Sequence, residues 1–173
     1  MATFEKIAFT EVGSGGQAEI DFTSIPSTFT DLTVLLCLRG TVSATNDDLL
    51  LKINNDSTSS RYTTRSLSGA GSGSGTSSVS GYTSFAYLGV CNAATSTSST
   101  FSNHSIYIPN YTVANQRSYS VDSVQENNAT TAYASLHAGL YNQTTTVSRL
   151  VFLTASGNFA QYSTATLYGI KKA

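Results

Sequence analysis

The chain has 173 residues, a formal charge of −1, 11% charged and 40% hydrophobic residues, a size suited to one packed domain. So little net charge, with no cluster of Lys or Arg, lacks the electrostatic footprint required for binding nucleic acid or an anionic membrane. The aromatic and β-branched content is too high for a disordered chain. Ser and Thr together number 52, so hydroxyls rather than charges are expected to wet the surface.

Apolar residues alternate with period two every ten to fifteen positions and rarely repeat with helical spacing, which predicts an all-β domain over residues 1–173. Phe4–Phe9 and Ala18–Phe22, separated by Gly13-Ser14-Gly15-Gly16, read as a hairpin. Leu32–Leu38 is the most apolar segment and is expected to be a central strand covered on both faces. Leu49–Ile53 follows and stops at Asn54-Asn55-Asp56, residues that tolerate left-handed turns. Arg61–Leu67 is the next strand, and residues 68–81 form a Gly/Ser-rich loop without periodicity. Tyr82–Cys91 resumes a strand, residues 93–100 make a Ser/Thr-rich loop, and Phe101–Ile108 ends at Pro109. The remaining strands are Ser118–Val124, Tyr133–Tyr141, Val147–Leu153 and Thr164–Ile170. About ten strands fit an antiparallel β-sandwich, jelly-roll-like, with an up-and-down barrel as the competing topology.

Catalytic chemistry finds little support. The chain has two histidines, His104 and His137, both mid-strand, and no nucleophile elbow. The Gly69–Gly75 run lacks the Lys and helix of a phosphate loop. Asp47-Asp48 and Asn54-Asn55-Asp56 lack the alternating register of a calcium loop. The spacing of Asp122 and Glu126 gives no support for paired carboxylates. No catalytic, cofactor-binding or metal-binding residue is assigned. Cys37 and Cys91 lie in hydrophobic stretches without ligand spacing and are expected to be buried free thiols. Five Asn-x-Ser/Thr sequons stand against about three that this composition would produce by chance, and with nothing at the N-terminus that reads as a secretory signal they carry no glycosylation argument. A surface rich in Tyr, Ser, Thr and Asn suits binding, and Tyr111, Tyr141 and Tyr162 are the candidate contact residues.

Three segments carry a resemblance: Ile25–Leu32, Ile106–Tyr111 and Ser156–Ile170. Together they resemble small β-rich virion proteins of tailed bacteriophages, over a span from about Phe22 to Ile170. The resemblance implies a non-enzymatic structural protein on the exterior of a virion assembled in the bacterial host cytoplasm. It is expected to be of the capsid decoration or cement type, since the first strand begins near Phe4 and the last ends near the C-terminus with no room for a fibre shaft. The alternative is a tail-fibre or receptor-binding module recognising a host-surface glycan or protein. The implied partners are major capsid or tail proteins and further copies of the chain in a homo-oligomer such as a trimer, with no nucleic acid, membrane or cofactor.

Overall fold

A computed structural model describes residues 3–71, 75–79, 82–129 and 132–171. Within them the chain forms twelve strands and no helix: β1 (Thr3–Glu11), β2 (Glu19–Phe22), β3 (Asp31–Leu38), β4 (Asn46–Ile53), β5 (Tyr62–Gly69), β6 (Thr76–Val79), β7 (Ala86–Asn92), β8 (Ser102–Ile108), β9 (Arg117–Gln125), β10 (Tyr133–Tyr141), β11 (Leu150–Thr154) and β12 (Thr164–Lys171). They make two antiparallel sheets, ordered β1-β12-β3-β8-β9-β10-β5-β6 and β2-β11-β4-β7.

The order contains a jelly roll. Strands β1-β12-β3-β8 face β2-β11-β4-β7, and the chain changes sheet at each of the links β1–β2, β3–β4, β7–β8 and β11–β12, the double Greek-key pattern of that fold. The other four strands are additions. The β5–β6 pair is inserted between β4 and β7, the β9–β10 pair between β8 and β11, and all four extend the large sheet. An eight-stranded sheet therefore lies against a four-stranded one.

Two expectations about the strands need correction. The first two strands are not a hairpin: β1 pairs with β12 and β2 with β11, because the Gly13–Gly16 turn carries the chain from one sheet to the other. Strand β3 is covered on one face only. Leu32, Val34, Leu36 and Leu38 are buried while Leu35 and Cys37 point to solvent, so Cys37 is exposed and Cys91 alone is a buried thiol. A run of consecutive apolar residues hid the period-two alternation that the single covered face imposes.

Where the sheets overlap, the core is aliphatic and aromatic: Ile20, Leu36, Leu51, Leu88, Phe152 and Leu167 are all essentially inaccessible. Under the added strands the interior is mixed: Tyr62, Tyr119, Val121 and Tyr141 join the hydrophobic core, while Ser66, Ser123, Ser135 and His137 make a polar layer tied in part by local hydrogen bonds. The Ser66 hydroxyl and His137 Nδ1, directly opposite on β5 and β10, are 2.8 Å apart. One register further, Ser135 Oγ donates to Ser68 Oγ at 2.9 Å. On β8, in the jelly-roll part of the sheet, Ser102 Oγ donates to the Leu38 carbonyl and sits 3.0 Å from His104 Nε2. Tyr62 and Tyr141 stack with centroids 5.0 Å apart, and Tyr141 donates its phenol to Asp56. Strand β7 can close over this polar layer because residue 89 is glycine. Its φ is +106°, and a Cβ there would stand 2.4 Å from Ser123 Oγ and 3.0 Å from His137 Nε2.

A second glycine holds a ring. Gly139 lies opposite Tyr119, whose ring occupies the space of the missing side chain, with Cζ 1.9 Å from where a Cβ would be. Gly139→Ala is expected to lower unfolding free energy by about 1–3 kcal/mol through overpacking, measured by urea denaturation, whereas Ala138→Gly on the exposed face of the same strand costs about 1 kcal/mol or less.

Burial sets the titration of both histidines: desolvation lowers His104 to about 3 and His137 to about 4. Each ring resists a proton in the folded state and takes one near pH 6.5 when unfolded. Their contribution to stability is therefore complete above pH 6.5 and is lost as pH falls toward 4, at up to about 1.4 kcal/mol per pH unit for each ring. Chemical denaturation at pH 7, 6, 5 and 4.5 is expected to follow that slope, and His137→Asn removes roughly one proton from it.

Candidate interaction surface

The two sheets present different outer faces. On the small sheet, Lys52 reaches Glu19 at 2.7 Å and Arg149 meets Asp21 at 2.6 Å, covering it with paired charges. The large sheet carries no comparable cover among the described residues. Its central outward row reads Phe9, Thr166, Leu35, Ser105, Asp122, Leu136, Leu67, Ser77 across all eight strands. Leu136 is 58% and Leu67 56% exposed, and they stand directly opposite each other on β10 and β5. Val124, Tyr107, Phe4 and Phe9 extend the exposed apolar set along the same face.

Strand β10 reverses the usual amphipathic order. Its inward positions hold Ser135, His137, Gly139 and Tyr141, and its outward ones Ala134, Leu136 and Ala138. His137 is 3% exposed while its neighbour Leu136 is open to solvent. A strand free to choose would put the leucine inside. Here the inward side is committed to the hydrogen-bonded layer beneath β7, and the apolar side chains face out.

The site is shallow. A groove of about 370 Å³ runs over β5 and β10, lined by Leu67, Ser68, Gly75, Asp122, Ala134 and Leu136. Arg65 lies in the next outward row of β5, and neither Arg65 nor Asp122 forms an ion pair with a described residue. Further along the sheet, Tyr107 donates to Asp31 Oδ2 at 2.9 Å, a hydrogen bond that raises its phenol pKa, and Asp31 also accepts from the Asn110 amide. Flatness, isolated charges and exposed aliphatic side chains fit contact with another protein surface better than enclosure of a small molecule.

The three tyrosines expected on a binding surface do not come together. Tyr111 is buried, its hydroxyl donating to the Pro26 carbonyl. Tyr141 is buried in the stack with Tyr62, where burial and the bond to Asp56 push its pKa up to about 12. Both are corrections: each phenol has found an internal acceptor, so the whole ring can be buried. Tyr162 is 64% exposed and takes a left-handed φ of 70°, with its amide donating to the Val12 carbonyl.

The polar clusters have structural partners. Asp48 accepts from Tyr82 at 2.7 Å, and Asp56 from Tyr141 and the Thr58 amide. Asn54 ties its turn to the 146–149 segment, accepting from the Ser148 amide and donating to the Thr146 carbonyl. Glu126 accepts from the amides of Asn127 and Asn128, while Asp122 faces outward on β9. Among the described residues no three His, Cys, Asp or Glu side chains converge on one point. Of the two loops, 93–100 folds around Arg39, whose guanidinium donates to the carbonyls of Ala94, Ser96, Thr97 and Thr100. The 68–81 stretch contains a strand, β6, and its positions 72–74, 80 and 81 lie outside the described residues.

No protein-family model matches the chain, and no curated protein matches it. Among solved structures, the E230A variant of a fructofuranosidase from Schwanniomyces occidentalis, complexed with fructosylnystose, aligns with 99% of this chain and 33% of its own at 8% identity and a TM-score of 0.26. A likeness at that level carries no argument about fold or activity.

Proposed function

We propose that this protein is a non-enzymatic structural component of the exterior of a tailed bacteriophage particle, of the capsid decoration or cement type. It works by surface contact with major capsid or tail proteins and with copies of itself. The observation that supports this reading is the outward Leu67–Leu136 pair, set in a broad sheet face with isolated charges. Apolar side chains held in solvent on a rigid sheet gain by being covered, at roughly 25 cal/mol per Å² of apolar area. Low overall charge reduces repulsion between crowded neighbours. The jelly roll recurs in viral capsid and lectin domains, a fold-level analogy that agrees with the resemblance in the sequence.

A receptor-binding reading has one observation in its favour. Tyr162 is exposed and fixed in a left-handed backbone conformation that bulky side chains seldom adopt, as an aromatic platform for a host-surface glycan would require. The tyrosines Tyr111 and Tyr141, which would have shared that task, are internal.

Mass spectrometry of particles purified from the phage that encodes this sequence is expected to find the chain in stoichiometric amounts. Its absence overturns the proposal. Within the proposal, a Leu136→Asp chain folds yet is depleted from particles at least about tenfold, as expected for a charge placed in a covered apolar contact. Tyr162→Ala separates the two readings: unchanged host adsorption favours decoration, and lost adsorption on intact heads favours the receptor reader.

A further inference from the structure

The outward face of the large sheet carries more than exposed leucines. Leu67 and Leu136 stand opposite each other in one row, Asp122 continues that row on β9, and Arg65 occupies the next outward row of β5. With strands about 4.8 Å apart and a rise of about 3.4 Å per residue, Arg65 and Asp122 are diagonal across β10 at about 12 Å. That distance is too long for an ion pair within the chain, and neither side chain has one with a described residue.

Consider a two-fold axis lying in the face, midway between these two charges. It sets Arg65 over the partner's Asp122 and Asp122 over the partner's Arg65. By the same spacings it lays Leu67 within about 3 Å of the position over the partner's Leu136, and the reverse. Reciprocal contact of this kind is what an isologous interface demands: residue i meets j while j meets i. Opposite charges meet and the apolar pairs cover each other. A trimer contact, being heterologous, would draw on two different patches and gives this arrangement no role. The covered area is modest. The axis passes over β10, so the overlap takes in about five strands, β8 to β6; at about 4.8 Å each, with outward rows spread over about 25 Å, they give about 600 Å², against about 800 Å² per partner in a standard stable interface, the size of a weak dimer.

We infer that the outer face of the eight-stranded sheet binds a second copy of this chain in a two-fold, face-to-face dimer, with Arg65–Asp122 pairs at either side of a Leu67/Leu136 centre. The inference rests on the reading of this face as an assembly surface, and it names the occupant. The four-stranded sheet, covered by its own ion pairs, remains free for the rest of the particle.

The test is sedimentation equilibrium of the full chain from about 1 to about 200 µM, with charge reversals at exposed positions that leave the interior untouched. Wild type is expected to be dimeric over part of this range. Arg65→Asp and Asp122→Arg each weaken the dimer at least about tenfold, and the doubly reversed chain returns to within about threefold of wild type because opposite charges meet again. Leu136→Arg yields monomer with an unchanged circular dichroism spectrum. A wild type that stays monomeric throughout, or that forms a trimer, overturns the inference, as does a double reversal no tighter than the single ones. The two proposals fail separately: a monomeric chain still found on particles refutes the dimer alone, and a dimeric chain missing from particles refutes the virion reading alone.

Discussion

Eight strands lie against four. In the jelly-roll half of the large sheet β12, β3 and β8 pack mainly apolar side chains against the opposing sheet, whereas the extension made by β9, β10, β5 and β6 extends beyond that sheet and is closed from inside mainly by the edge strand β7 and by loops. The interior side of the extension holds Ser66, Ser123, Ser135 and His137, tied in part by hydrogen bonds between directly opposed residues. Such a layer is stable only while its members keep their partners, since an orphaned buried hydroxyl or imidazole costs as much as several good bonds contribute. Gly89 is the point at which β7 is allowed close enough to shut it.

That commitment has a cost on the opposite face. A strand has two sides, and when β10 turns Ser135, His137 and Gly139 inward, its alanines and Leu136 must face out. The exposed apolar face and the polar interior are thus two consequences of one choice of register. The small sheet shows the contrasting solution, with apolar residues inside and Lys52–Glu19 and Arg149–Asp21 outside. The abundance of Ser and Thr takes on a second meaning here: hydroxyls do wet the surface, but they also fill the part of the interior that the short sheet cannot line with aliphatic side chains.

Much of the fold was legible because a half-buried antiparallel strand writes its period into the chain. The segments Leu49–Ile53, Phe101–Ile108 and Tyr133–Tyr141 fall on β4, β8 and β10 with shifts of at most three residues, and the turn at Asn54 and Asn55 has the left-handed φ its residues suggest. The short strand β6 was hidden because Thr76–Val79 lies in a Gly/Ser-rich stretch with no alternation, and its pairing is dictated by β5. The candidate surface was far less legible. Tyrosine was the natural choice for an exposed contact, yet Tyr111 and Tyr141 are drawn inside by the Pro26 carbonyl and the Asp56 carboxylate, acceptors 85 positions away in the chain. Nothing in the sequence marks which face Leu67 and Leu136 take, and only the location of the hydrogen-bonded layer shows which side of β10 is buried. Arg65 and Asp122 gave no local signal at all; their relation is a product of strand order.

The central claim is that the outer face of the large sheet is covered in the assembled state. Hydroxyl-radical footprinting of the protein, assembled and dissociated, reads this side chain by side chain. The account predicts that Leu67, Leu136 and Val124 lose most of their oxidation on assembly, while Tyr162, away from the Leu67–Leu136 centre, keeps its own. Equal labelling of Leu67 and Leu136 in both states would contradict it.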